Sequence, residues 1–393
     1  MNEISVEQIR CFRLRSHHLD AEYQKTEIAA IVGACGMMNT PPGAWETALY
    51  NRVPDCGLSE MERLLYEERS LLQAWSLRGA PAVFPVSESD VFLSALVSDE
   101  GEPWIYSIPG IFGALDFLQM AFDELFDKMK QVMPQLDDEV IVSKSTLDQT
   151  IAGWMLPLLP IEKRELWNHP SMYGNPDKQT VGGAVVSFML RPCSFNGMVV
   201  FGARNGISPT FTSYKNWTGH PLETSGDALK KLARKYLHCY GPTTVDAFAR
   251  WLGCSAEQGR RIWSTISDEM EQVMVSGKRS FILTADKEQL LSPAAFQREL
   301  LLLGGHDPFL DQSDRTVLQP DRSLHKLIWR TAANPGVILH CGKIVGIWTN
   351  KKKDKGMEIK MALWDKCCES RELNHLAERY AAFRRQKVTS IEI

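Results

Sequence analysis

The sequence predicts an α+β fold of repeated helix–helix–hairpin modules followed by a β-rich segment, and three observations predict it. Arg204-Asn205-Gly206 stands between two apolar runs, and Asn-Gly so placed is the strongest short-range hairpin signal. The same order of helices and then hairpin recurs from Ser225 to Leu283. From about Glu299 the pattern changes to β-rich runs such as GVILHCGKIVGIWT, introduced by an Asn-Pro-Gly turn. With 393 residues the chain is too long for one ordinary core, so several small domains are expected.

Taken in order, Glu3 to Arg52 reads as helical at both ends, with a break at GACGMMNTPPG where glycines and paired prolines interrupt the apolar pattern. From Ser59, the residues Leu58, Met61, Leu64, Leu65, Leu71 and Leu72 fall on one helical face, and Ser59 with Glu62 has the spacing of a capping box. The prolines around APAVFPV bound a short strand. Ile111 to Met133 predicts one amphipathic helix that Pro134 stops, and Ser145 to Met155 predicts another. VGGAVVSFMLRP is apolar and of helix length, and the hairpin at Asn205-Gly206 follows.

Downstream, DALKKLARKYLHCYG predicts a helix with Leu229, Leu232, Tyr236 and Leu237 inward. Thr243-Thr244 restarts the chain as VDAFARWLG, and Gly253 ends that helix. Ser255, with Gln258 three residues on, caps AEQGRRIWSTI. Two helices joined by so short a turn make a helix-turn-helix. EQVMV and RSFIL then form a wing-like hairpin around Ser276-Gly277-Lys278. The second helix is expected to present Gln258, Arg260 and Arg261 outward. A last helix covers about Ser370 to Arg385.

The bulk numbers exclude several classes. A hydrophobic share of 44% with 23% charged residues argues for a folded globular chain, and a net charge of −4 means that any nucleic-acid contact is local. The plainest basic stretch is Lys351, Lys352, Lys353, Lys355 and Lys360, followed by Arg384, Arg385 and Lys387; it is either a solvated loop or a phosphate-contacting surface. Nine cysteines without a Cys-x2-Cys pair suit a reducing compartment, so a cytoplasmic location is expected. No apolar leader or uninterrupted run of about 18 apolar residues is present, so no membrane partner is expected. His17-His18, Cys367-Cys368 and the scattered histidines lack metal-ligand spacing, and neither GxxxxGK[ST] nor GxGxxG occurs; no metal, nucleotide or other cofactor is expected.

Five fragments in order, CGMMNTPPGAWETALYNRV, LLYEERSLLQAWSLRGAPAVFP, GPTTVDAFARWLG, GGHDPFLDQSDR and GVILHCGKIVGIWT, make the chain resemble, nearly end to end, the winged-helix DNA-binding family that includes the AlkZ/YcaQ-like DNA glycosylases. The resemblance implies tandem winged helices and a C-terminal β-barrel around a DNA-sized channel. The corresponding domains are residues 1–110, 111–224 and 225–298 as three winged-helix modules and 299–393 as the β-rich domain. It implies double-stranded DNA as partner and repair of alkylated or crosslinked bases as function. In that family the first loop carries a Gln-apolar-Gln or Gln-apolar-Asp motif that places the attacking water. Here Met38, Asn39 and Thr40 occupy the three positions. The family also tends to carry His three residues after the Gly of an Arg-Gly pair, where this chain has Arg78-Gly79 and then Ala82.

Breaking an N-glycosidic bond needs a polar group to orient water and stabilisation of oxocarbenium-like charge. A thioether supplies neither. Asn39, Thr40 and Glu46 are therefore catalytic candidates, with Glu46 as an alternative water activator. His306-Asp307 is a further candidate, since a histidine beside a carboxylate can act as a general base, although the commoner role of such a pair is turn capping. The DNA-contacting candidates are Arg204 and Asn205 of the second hairpin, Arg260, Arg261 and Lys278 of the third module, and Lys351, Lys352 and Lys353. Trp217 is a weaker candidate for stacking on a base. Two functions stay open: a DNA glycosylase, and a non-enzymatic DNA-binding or regulatory protein using the same channel.

Overall fold

The computed structural model describes residues 3–105, 110–173, 175–292, 296–331, 333–365 and 367–393. Helices and strands mix in an α+β arrangement of three small three-stranded sheets and one sheet of five strands. No helix of the described residues is long and apolar enough to cross a membrane.

The first sheet pairs Met37–Met38 with Pro81–Pro85, and Pro81–Pro85 with Leu71–Trp75, both antiparallel. The long helix expected from Ser59 ends early. An α-helix spans Leu58–Glu62, capped by Gly57 rather than Ser59, and a wider turn carries on over Arg63–Glu67. Arg69 then takes a left-handed φ of 52°, and Leu71–Trp75 leaves as a strand. All five residues of that strand are buried. Leu71 and Leu72 satisfy a helical period and a doubly buried strand equally, and the tertiary pairing decides between them.

The second sheet holds the expected hairpin, Val200–Asn205 with Ser208–Thr212, Asn205 opposite Ser208 and Gly206 at φ 60°. Ile141–Val142 adds an edge strand. The single helix expected over 111–133 is two, Gly110–Leu118 and Phe122–Val132, separated where Gln119 adopts φ 50°. Pro134 begins the 3-10 turn Met133–Asp137, where its missing N–H costs nothing.

The helices Ala228–Tyr240, Val245–Leu252 and Ala256–Ser264 precede the hairpin Met270–Val275 and Lys278–Leu283. Gly253 (φ 79°) closes the middle helix in the left-handed conformation that a side chain disfavours. Ser255 and Gln258 form the reciprocal capping box at 3.1 and 2.9 Å. Tyr236, Phe248, Trp251 and Trp263 gather in one aromatic core, with Tyr236 and Trp251 ring centroids 4.9 Å apart. The strand Glu3–Ile4 joins this hairpin, pairing parallel with Met270–Val275, and Ile9 and Phe12 of the following helix Val6–Ser16 pack with Val273, Ile282 and Leu290. The N-terminal residues thus complete a sheet formed late in the sequence.

The C-terminal sheet orders Leu300–Leu303, Gly336–His340, Lys343–Lys353, Gly356–Leu363 and Val388–Glu392, antiparallel until the last, parallel pair. It is open: its two outer strands do not pair among the described residues, which corrects the expected β-barrel. Both of its faces are covered. Leu301, Leu303, Val337 and Leu339 point toward Leu14, Phe309 and Leu318, while Leu302, Ile338 and Trp348 point toward Leu373, Ala377 and Tyr380 of the helix Ser370–Phe383.

Candidate functional site

The loop after Met37–Met38 is built around Asn39, only 3% exposed. Its backbone N–H donates to the Pro81 carbonyl (2.7 Å), its carboxamide oxygen accepts from the Gly43 N–H (2.7 Å), and its Nδ2 donates to Gln73 Oε1 (3.0 Å). The side chain therefore fixes the start of the helix Ala44–Tyr50, one donor and one lone pair of its buried carboxamide being spent on the fold. Thr40 is exposed. Met38 lies directly across the sheet from Ala82. Two of the positions at which this chain departs from the resembled pattern, Met38 and Ala82, are thus cross-strand neighbours, and both carry apolar side chains.

Beside the loop opens a cleft of about 460 Å³, lined by Pro41, Pro42, Gly43, His306, Asn334, Asn350, Lys352, Arg384 and Gln386 among others. It unites the loop, the Gly304-Gly305 turn, the C-terminal sheet and the end of the last helix. Glu46 sits behind Gly43, its carboxylate bonded to the Arg384 guanidinium at 2.5 Å. Gly43 has φ 90°, and a Cβ there would come within 3.3 Å of both Glu46 Oε2 and Arg384 Nη2, so only glycine fits. Burial pushes the His306 imidazole below its ordinary 6.5, with Asp311 opposing and Arg78 reinforcing. The ring that faces the cleft is therefore neutral at pH 7.

Asp307 is not the partner of His306. It is 2% exposed and binds Arg52 in a two-pronged ion pair at 2.8 and 2.9 Å, with Oδ1 also accepting from the Phe309 N–H at 3.0 Å. Turn capping and a buried ion pair are its roles. Arg52 gives two further donors to the carbonyls of His17 and Ala48.

Burial pushes the Tyr66 phenol up, with the Arg204 guanidinium opposing and Glu46 reinforcing, and the second hairpin does not line the cleft. Arg204 and Asn205 are exposed. Of the lysine run, Lys352 lines the cleft while Lys353 pairs with Glu358 at 3.4 Å. Lys351 lies opposite Glu358 in the register, and strand alternation gives it the other face from Lys352.

The helices Val245–Leu252 and Ala256–Ser264 contribute nothing to the cleft lining. Gln258 was expected outward but is 1% exposed, because its Nε2 donates to Glu102 (3.2 Å) and to the Pro103 carbonyl (2.6 Å). Arg261 is held by Glu102 at 2.7 and 2.8 Å and by Asp99 at 3.0 Å. Arg260 and Lys278 are exposed. Trp217 is 8% exposed and roofed by Arg69 at 4.2 Å, which leaves no face for a base.

Arg384 was visible only as part of a basic stretch, and Arg52, Gln73 and Tyr66 gave no signal, because each acts through a partner distant in sequence. One grouping runs against the spacing argument: His17, Cys35 and Cys239 bring their ligand atoms within 4.8 Å of one another, all buried. Glu299, His340 and Cys341 form a second, more exposed trio.

Comparison with known proteins agrees with this architecture. An interstrand DNA cross-link repair glycosylase of Streptomyces sahachiroi is 24% identical over 354 residues, covering 87% of this chain and 86% of the relative. The solved Streptomyces sahachiroi DNA glycosylase AlkZ superposes with a TM-score of 0.77 over the whole of both chains at 20% identity, a likeness of fold. Residues 32–383 match the family model described as DNA glycosylase AlkZ-like. That match spans most of the sequence, and the chain belongs to the AlkZ-like DNA glycosylase family.

Proposed function

We propose that this protein is a DNA-repair glycosylase that holds alkylated or crosslinked duplex DNA against the cleft and hydrolyses the N-glycosidic bond of the damaged base there. The observation that carries the reading is the cleft itself, where Pro41, Pro42 and Gly43, directly after the family's catalytic positions, meet a neutral imidazole, His306, and the cations Lys352 and Arg384, the latter paired with Glu46. A purine alkylated at N7 or N3 is cationic and departs as a neutral base, so no acid need assist it. The protein has only to orient water and stabilise the sugar cation. His306 is the group placed to accept the proton of that water, and Lys352 and Arg384 hold phosphates. In this reading the three helix–hairpin units are winged helices with the boundaries 1–110, 111–224 and 225–298, and Arg204 with Asn205 follows the backbone beside the cleft.

A second reading, a damage-binding protein without hydrolysis, is favoured by Met38 facing Ala82, which puts an apolar pair where the resembled enzymes carry polar groups. One experiment separates them. Incubation with duplex containing N7-methylguanine at single turnover should yield abasic sites. Binding without abasic sites selects the second reading, and absence of binding at low salt removes both. In the same assay, Lys352→Ala with Arg384→Ala should weaken duplex binding and reduce the slope of log K against log salt by about 2, one phosphate each. An unchanged slope would take the cleft out of the DNA interface.

A further inference from the structure

His17 ends the helix Val6–Ser16, Cys35 lies two residues before the strand Met37–Met38, and Cys239 sits in the last turn of the helix Ala228–Tyr240. Their exposures are 1%, 8% and 0%. Cys35 Sγ is 3.8 Å from His17 Nδ1, and Cys239 Sγ is 3.5 Å from the Ala34 carbonyl oxygen. A tetrahedral zinc ion, with Zn–S of about 2.3 Å and Zn–N of about 2.0 Å, needs its ligand atoms about 3.5–3.8 Å apart. The trio is therefore already close to ligand spacing. Tyr240 and Phe309 flank the imidazole, with ring centroids at 5.0 and 5.5 Å, and exclude water. His17 Nε2 finds no hydrogen-bond partner there.

We propose that His17, Cys35 and Cys239 form a structural zinc(II) site, with the Ala34 carbonyl oxygen as the fourth donor. Two sulfurs and an imidazole are the borderline-soft set that zinc takes, and they disfavour calcium and magnesium, which require oxygen ligands. The two cysteines bind as thiolates, their thiol protons passing to solvent, and the two thiolates balance the charge of the ion without any change of oxidation state. Arg52 is no obstacle, since Asp307 already neutralises it. A site closed on all sides cannot admit substrate, so its role is mechanical. It ties the N-terminal helix and the third module's first helix to the segment that leads into Met38-Asn39-Thr40. The proposal does not depend on glycosylase activity.

The test uses the full chain, purified without a metal-affinity step. Elemental analysis should give one zinc per chain. Replacement with cobalt(II) should produce a thiolate-to-metal charge-transfer band and the intense visible bands of a tetrahedral centre. Cys35→Ser and Cys239→Ala should each lose the metal, while Cys367→Ser should keep it. Should the first two variants fail to fold, the wild-type protein still decides. Absence of zinc after dialysis against zinc, with no cobalt charge-transfer band, overturns the proposal. So does a Cys35–Cys239 disulfide found by peptide mapping of the denatured, unreduced protein.

Discussion

Asp307→Ala should destabilise the protein by about 3–5 kcal/mol, a large share of the roughly 5–15 kcal/mol that holds a domain together. The substitution removes both carboxylate oxygens from Arg52, which is 1% exposed and cannot reach water. The guanidinium then keeps its desolvation cost and loses the charge that offset it. The damage also spreads beyond the pair. Asp307 caps the turn Pro308–Leu310, and Arg52 holds the end of the first helix through the His17 carbonyl. Urea unfolding followed by tryptophan fluorescence measures the loss through the midpoint at unchanged slope. A loss below 1 kcal/mol would mean that Arg52 finds solvent or another acid. The double variant Arg52→Met with Asp307→Leu should recover much of the stability, because apolar replacement of both partners leaves no orphaned charge.

This pair also marks the limit of what the sequence discloses. Features set by near neighbours were legible: the Ser255–Gln258 capping box, the Gly253 helix end and the Asn205-Gly206 turn each depend on residues within a few positions. Leu71 and Leu72 were misread because their spacing serves two periods, and the break at Arg69 has no residue signature such as Gly or Pro. Gln258 was placed outward on helical phase alone, and Glu102, which covers it, lies 156 positions away in the sequence. The site shows the same division. The position of Met38-Asn39-Thr40 followed from resemblance, and His306 and Lys352 were named by type. Their meeting in one cleft, the Glu46–Arg384 bond across 338 positions and the Arg52–Asp307 pair across 255 are products of the fold. No local pattern encodes them.

His306→Ala should lower the single-turnover rate of base release by about 10²–10⁴-fold, the usual worth of a general base, while duplex affinity changes little. The asymmetry follows from its setting. Binding is assigned to the cations Lys352 and Arg384, which supply charge to phosphates, whereas a neutral imidazole supplies almost none. Asn39 cannot take over as a base, since a carboxamide takes no proton at neutral pH and this one is bonded to Gly43 and Gln73, and Glu46 is held by Arg384. The pH profile carries the sign. Because burial holds the imidazole below 6.5, the base form is complete at neutral pH, and the rate should be flat from pH 7 upward. It should fall only as the pH drops below 6.5 toward the lowered value, where protonation removes the acceptor. His306→Ala should abolish that acid limb together with the rate. If the variant keeps the full rate and the same limb, the water is activated elsewhere. Thr40 is then the remaining exposed polar group of the loop, and a hydroxyl that orients water without taking its proton leaves a rate independent of pH through this range.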